Sequence, residues 1–162
     1  MLKVNNAKYL IVLFYLLFLN GCSSSLSNIK TIALNEESIY DNDLRINIKQ
    51  IYCWINRMPG AKPRFNITGE LNIFESSKFN FKNVTIKKIY IIQEGKEVYQ
   101  FTPKIETDFI ENKKSIIFST IKGMLLSLQL NTSKNIDIKI LLTDSNSKID
   151  YFINNIAIEE VY

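Results

Sequence analysis

From Leu44 onward, apolar and polar residues alternate with a period of two, which is the pattern of strands with one buried and one wet face. The alternation is clearest over residues 65–73, 124–130 and 136–142. Many apolar positions in the chain carry the β-branched and aromatic side chains that pleated sheets favour. Beyond residue 22, no run of ten or more residues shows a convincing helical period. We therefore predict an all-β domain.

In other stretches the alternation changes parity midway along a predicted strand. A change of this kind is what a β-bulge produces, or a strand that passes from one sheet to another. Repeated changes favour a sandwich or a small barrel over a flat meander. The changes fall between Ile48 and Ile51, between Ile86 and Ile89, and between Ile153 and Ile156.

Short polar connections separate the predicted strands, as in antiparallel sheets. Residues 94–96 (Glu-Gly-Lys) predict a hairpin turn, because Gly95 accepts a positive φ. Residues 131–135 and 144–148 predict further turns, and residues 58–63 form the longest evident loop. We expect seven to nine strands at a spacing of roughly 8–12 residues, which is typical of sandwiches and barrels.

The last 27 residues resemble the final hairpin of immunoglobulin-like and fibronectin-III-like sandwiches. A long strand over 136–142 is followed by Thr-Asp, a polar turn and a long returning strand. The resemblance implies an antiparallel immunoglobulin-like β-sandwich, with a small β-barrel as the alternative. It implies nothing about function, because such folds host many unrelated activities.

The N-terminus has the pattern of an export signal. Lys3 and Lys8 precede an uninterrupted apolar run at residues 9–19. That run has the length of a secretory signal and falls well short of the ~20 residues that a membrane-spanning helix needs. We predict a signal-peptide helix within residues 1–21.

The sequence Leu19-Asn20-Gly21-Cys22, followed by three serines, resembles a bacterial lipobox. The resemblance implies that signal peptidase II recognises Leu19 and Gly21, and that Cys22 carries a diacylglyceryl lipid, usually with a further acyl chain. Asn20 departs from the pattern, since a small or β-branched residue is usual there. The alternatives are cleavage by an ordinary signal peptidase and an uncleaved signal anchor.

These features predict three regions: a signal peptide at 1–21, a lipidated cysteine and polar tether at 22–41, and a β-sandwich at 42–162. An apolar patch in the tether, residues 29–34, can add a first short strand, and residues 35–38 can also start a helical turn. The expected location is the bacterial cell envelope, with the outer membrane favoured if there are two membranes. Two or more acyl chains anchor a protein stably, whereas one holds it only marginally.

The charge pattern argues against nucleic-acid binding. The chain has 20 Lys and Arg against 16 Asp and Glu. Loss of a signal peptide containing Lys3 and Lys8 leaves 18 basic and 16 acidic residues, a net charge of +2. These charges are spread along the strands, whereas a nucleic-acid site needs a concentrated basic stripe. We expect no nucleic-acid partner.

The chain has no histidine, which excludes Ser-His-Asp and Cys-His catalysis and the commonest zinc ligand. Residues 41–43 and 144–146 have oxygen-rich side chains but lack the glycine and distal glutamate of an EF-hand, so we interpret both as turns. We expect no catalytic residue, no metal and no cofactor beyond the covalent lipid on Cys22. Cys53, between Tyr52 and Trp54, is interpreted as a small buried hydrophobe, with an exposed thiol as the alternative.

The loop from Arg57 to Arg64 concentrates Arg57, Lys62 and Arg64 around two prolines and a glycine. We hypothesise that it contacts an anionic partner or lipid headgroups, with an ordinary solvated loop as the alternative. The function expected is a non-enzymatic binding module anchored to a membrane, whose partner is another envelope protein or a surface ligand. The alternatives are an accessory subunit of an envelope complex and a hydrolase that uses paired carboxylates.

Overall fold

A computed structural model of the chain describes residues 38–40, 44–75, 80–145 and 147–162. The predicted signal-peptide helix, the lipobox with Leu19, Gly21 and Cys22, and the turn at 41–43 lie outside the described residues. The first strand begins at Ser38, inside the segment that we predict as the tether.

The described residues form eleven strands and one short 3-10 helix, Phe81–Asn83. Eight strands have six or more residues, within the expected range of seven to nine. The other three have two or three residues each. The strands are β1 (Ser38–Tyr40), β2 (Leu44–Asn56), β3 (Arg64–Phe74), β4 (Thr85–Gln93), β5 (Lys96–Phe101), β6 (Lys104–Ile110), β7 (Lys113–Ser119), β8 (Met124–Leu125), β9 (Ile136–Thr143), β10 (Lys148–Ile156) and β11 (Glu159–Val161).

The strands form two sheets, which confirms the predicted all-β sandwich. The first sheet has the order β1-β2-β3-β7-β6, with β8 added to β3 and β11 added to β2. The second has the order β10-β9-β4-β5. If β2 is lettered A, these orders become A-B-E-D and G-F-C-C′, which is the arrangement of immunoglobulin-like sandwiches. All pairings are antiparallel except that of β11 with β2.

Inward-facing residues of the two sheets fill one apolar core. Along β9 the residues are alternately buried and half-buried, and β3 is buried at every second position from Phe65 to Ile73. The largest fully buried side chains include Tyr151, Phe65 and Phe118. Because strand side chains point to opposite faces in turn, β2, β3, β4, β7, β9 and β10 each give one row of side chains to the core. The edge strands β5 and β6 contribute only partly buried side chains. The interior is therefore occupied by the protein's own side chains.

All three predicted parity changes coincide with register shifts between paired strands. In β2 the shift lies between Ile48 and Gln50, and in β4 between Ile86 and Lys88. In β10 it lies between Ile153 and Ile156. Each strand carries one extra residue at the shift, so that apolar residues on both sides still face the core. The predicted hairpin at Glu94 and Gly95 is also present, with both residues at positive φ.

The predicted strand at residues 124–130 is wrong beyond Leu125. The backbone turns at Ser127, whose carbonyl oxygen accepts a hydrogen bond from the Leu130 amide at 3.2 Å. The Ser127 hydroxyl oxygen accepts a second bond, from the Gln129 amide at 3.1 Å. These local bonds compete with a sheet ladder. As a result Leu130 is buried, whereas Leu128 points into solvent.

Gly69 in β3 lies where no side chain fits. A Cβ at this position would approach the ring atom Cε1 of Phe118 to 2.9 Å. We predict that Gly69→Ala lowers the free energy of unfolding by about 1–3 kcal/mol through overpacking. Chemical denaturation measures this change. Without the clash, alanine in a strand is about 0.5–1 kcal/mol more favourable than glycine, so a stabilised variant would contradict the prediction.

The double variant with Phe118→Leu provides the control. Leucine removes the ring that a Cβ at Gly69 would strike, so the penalty of Gly69→Ala should shrink in the Phe118→Leu background. An equal penalty in both backgrounds would show that the two positions are not coupled.

Candidate interaction surface

The three basic residues singled out in the sequence lie at one end of the sandwich, where β2 ends and β3 begins. The final residues of β7 and the β8 segment reach the same end. Register places β8 beside the start of β3, with Leu125 opposite Arg64. The amide of Leu126 also donates to the carbonyl oxygen of Pro63 at 3.1 Å. The loop at 57–63 and the segment at 120–128 are therefore neighbours.

Arg57 forms hydrogen bonds and an ion pair with the C-terminal strand, β11. Its Nη2 donates to Oε1 of Glu160 in β11 at 2.9 Å, and both side chains are partly buried. The backbone amide of Arg57 donates to the carbonyl oxygen of Val161 at 2.8 Å. The charge of Arg57 is therefore balanced within the protein, and its contacts fix β11 against the edge of β2.

Arg64 and Lys62 have a different environment. The Nη1 of Arg64 donates to the carbonyl oxygens of Gly123 at 3.0 Å and Lys122 at 3.4 Å, which bind the guanidinium without neutralising it. Both basic side chains are exposed. Among the described residues, neither Lys62 nor Lys122 forms an ion pair with a carboxylate. Three positive charges thus remain uncompensated at this end.

Large apolar side chains are exposed beside these charges. Leu128 is fully exposed, Ile121 is 72% exposed, and Met58 and Leu125 are each 54% exposed. Single exposed apolar residues are normal, but several at one end of a domain indicate a contact surface. We call this surface the basic-apolar patch, made of Met58, Lys62, Arg64, Ile121, Lys122, Leu125 and Leu128.

Tyr99 holds the patch segment against the second sheet. Its hydroxyl donates to the carbonyl oxygen of Leu125 at 3.0 Å and accepts from the amide of Ser127 at 2.6 Å. Its ring stacks on Phe65 with 5.4 Å between centroids. Partial burial raises the pKa of the Tyr99 hydroxyl. Leu128 is therefore presented by an anchored turn next to Ser127.

The sequence contains a signal for this patch that pattern reading missed. Residues 44–69 contain five basic residues and no Asp or Glu, and residues 112–136 contain four and none. The fold brings parts of both acid-free segments to one end. Among the acids at this end, Glu160 is paired with Arg57 and Glu94 with Lys134, and the Glu159 carboxylate accepts from the Tyr52 hydroxyl at 2.7 Å. Only the three-dimensional structure shows that these acids are already engaged.

The remaining candidate residues have structural environments. Cys53 is almost completely buried, and burial raises the pKa of its thiol to about 12, which confirms its interpretation as a small buried hydrophobe. Asp144 accepts hydrogen bonds from the Ser147 amide at 2.6 Å and hydroxyl at 2.9 Å, as turn-forming aspartates do. Asn146 lies outside the described residues.

An open depression of about 370 Å³ lies beside the Asp144 turn, at the end opposite the patch. Lys87 and Lys148 line it together with Asp144 and small hydroxyl side chains. Within the described ranges, no cluster of three or more His, Cys, Asp or Glu has the arrangement of a metal site. The same ranges contain no helix whose length and hydropathy would let it cross a bilayer.

Comparison with protein-family models, with curated proteins and with solved structures finds no match for this chain. The lipobox resemblance and the basic-apolar patch are therefore the features from which we propose a function.

The contact between Arg57 and Glu160 makes a prediction about pH. The hydrogen bond from Arg57, together with one from Tyr162, lowers the pKa of the Glu160 carboxyl from 4.5 to about 2. A lowered pKa means that the bond stabilises the fold fully above the ordinary pKa and that this stabilisation is lost as the pH falls through about 2. Carbon-13 NMR of the glutamate carboxyls should therefore show Glu160 still ionised at pH 3.

Arg57→Gln should raise the Glu160 midpoint towards its ordinary value. Tyr162→Phe is the matched control and should raise it less, because Arg57 is the larger cause of the shift. A wild-type Glu160 that titrates near 4.5 would mean that β11 is not held by this pair.

Proposed function

We propose that this protein is a bacterial envelope lipoprotein. In this proposal, lipid on Cys22 anchors it to a membrane, and the sandwich is a non-enzymatic binding module. The observation that carries the anchor is the lipobox-like sequence Leu19-Asn20-Gly21-Cys22 directly after an apolar run of signal-peptide length. The serines at 23–25 support it, because polar residues commonly form the tether behind a lipidated cysteine.

The binding role is supported by the packing of the domain. The side chains of both sheets fill the interior, so a partner has access to the ends, the edges and the outer faces of the sheets. Of these surfaces, the basic-apolar patch combines exposed apolar area with uncompensated charge. It contains Lys62 and Arg64 from the loop that the sequence indicated and adds residues 121–128. We propose that the patch is the contact surface of the module.

Intact-mass measurement of the purified full chain tests the anchor. We expect a mature protein that begins at Cys22 and carries the added mass of a diacylglyceryl group and a further acyl chain. Cys22→Ser should abolish both the processing and the added mass, because the thioether needs the sulfur atom.

Cys53→Ser is the matched control, since it removes the chain's only other cysteine and should leave lipidation unchanged. A wild-type protein cleaved at another position would instead support ordinary secretion. One that keeps residues 1–21 and has no acyl group would support an uncleaved anchor. Either result contradicts the proposal.

A further inference from the structure

We propose that the basic-apolar patch is a membrane-docking face, which lies against an anionic bilayer and orients the sandwich on the membrane that anchors it. This inference rests on the proposed lipoprotein function and adds the chemistry of the bound surface. Its basis is the pairing of exposed apolar side chains with uncompensated cations on one end of the domain.

An anionic bilayer offers two features that this patch complements. Its acyl region accepts apolar side chains, and its negative surface attracts lysine and arginine within a Debye length. Leu128 and Ile121 are the most exposed large apolar residues near the cations Lys62, Arg64 and Lys122. In free solution these apolar side chains lie in water, so contact with a bilayer would bury them.

The opposite end of the sandwich also exposes apolar residues, but these lie next to carboxylates. There the hairpin between β6 and β7 exposes Phe109 and Ile110, each about half exposed. Asp108 and Glu111 lie beside them in the chain and are also exposed. An anionic surface would repel these carboxylates. Lys87 and Lys148 at that end line the depression beside the Asp144 turn, whereas the cations of the patch lie next to its exposed apolar residues. The pairing of cations with exposed apolar side chains therefore favours the end that carries the patch.

The position of the anchor is compatible with this orientation. β1 pairs with the beginning of β2, and Ser38 lies opposite Ile46. Cys22 precedes Ser38 by 16 positions, so the intervening chain can span at most ~55 Å. From Ile46 to Asn56, β2 advances ten residues, or about 33 Å. The lipid on Cys22 and the patch at the far end of β2 can therefore reach one bilayer together.

A fluorescent label at Ala61 tests the docking directly. Ala61 is exposed in the loop between Met58 and Lys62. Ala61→Cys allows specific labelling because Cys53 is buried and Cys22, in the proposed lipoprotein, carries lipid. The full chain is reconstituted by its own anchor into vesicles of phosphatidylcholine, with or without about 30% phosphatidylglycerol to supply negative charge. Quenching by acrylamide, a neutral solute that the membrane charge does not repel, then reports whether the label is shielded from water.

We expect the Ala61 label to be shielded on the anionic vesicles and exposed on the neutral ones. A label at Asn112, in the hairpin at the opposite end, should be quenched equally on both. Equal quenching of the Ala61 label on both membranes would overturn the proposal. So would shielding of the Asn112 label alone.

Charge reversal identifies the residues responsible. Lys62→Glu with Lys122→Glu should lower the ratio of docked to undocked protein by at least ~30-fold, given the attraction of two lysines to an anionic surface. The matched control, Lys87→Glu with Lys148→Glu, makes the same change in net charge at the opposite end and should leave docking intact. Equal loss in both double variants would show that only net charge matters and would contradict a specific face.

Leu128→Ser isolates the apolar contribution. Leu128 is fully exposed, so its replacement should leave thermal unfolding unchanged while weakening the shielding. Unchanged shielding of the label would show that Leu128 does not contact the membrane. It would contradict the proposal that apolar side chains contribute to docking.

Intact mass separates failure of docking from failure of the lipoprotein proposal. In a chain that mass shows to lack lipid, Cys22→Ser removes the second reactive thiol. The apolar run at residues 9–19 would still hold such a chain on the vesicles, so the quenching experiment would remain readable.

Discussion

Burial of one row of apolar side chains from each of six strands in a single shared core is the constraint on which the rest of this structure depends. A strand that slips by one residue turns its whole apolar row towards water, so the parity of apolar positions fixes which face each strand presents. β9 meets this condition without interruption, with buried side chains from Ile136 to Leu142. β2, β4 and β10 meet it with one extra residue each. The ends and the outer faces are then left for function.

Much of the fold could be predicted because this constraint is local in sequence. The parity changes beside Ile48, Ile86 and Ile153 are visible as a break in period two, and each is a register shift in the structure. The turn at Glu94 and Gly95 follows from glycine chemistry in the same way. The prediction of a strand after Met124 was wrong because leucine at every second position is compatible both with a strand and with a turn that hydrogen bonds hold in place. The hydrogen bonds at Ser127 select the turn. In one of them the Ser127 amide donates to the hydroxyl oxygen of Tyr99, a residue distant in sequence.

The candidate surface was less predictable because it depends on long-range pairing. Arg57, Lys62 and Arg64 look equivalent in sequence, yet Glu160 of β11 neutralises Arg57 alone. The pattern of apolar and polar residues does not predict that β11 pairs with β2, so this pairing had no local signal in the sequence. The exposed apolar residues come from a segment distant in sequence that packs beside the loop. The sequence does contain one signal for the patch, which is the absence of Asp and Glu from residues 44–69 and 112–136.

Paired single-residue deletions test the central claim, that apolar parity holds the two sheets together. Lys87 is the extra residue of β4, so its deletion should keep every apolar residue inward and cost no more than about 1–2 kcal/mol. Lys139 has no such role in β9, and its deletion should turn the two buried apolar residues on one side of it towards water, at about 1.5–3 kcal/mol each. Denaturant unfolding of both, beside Lys87→Ala and Lys139→Ala, gives the comparison. We predict that the protein still unfolds cooperatively without Lys87 and that cooperative unfolding is lost without Lys139. An equal loss of stability from the two deletions would contradict the role of apolar parity.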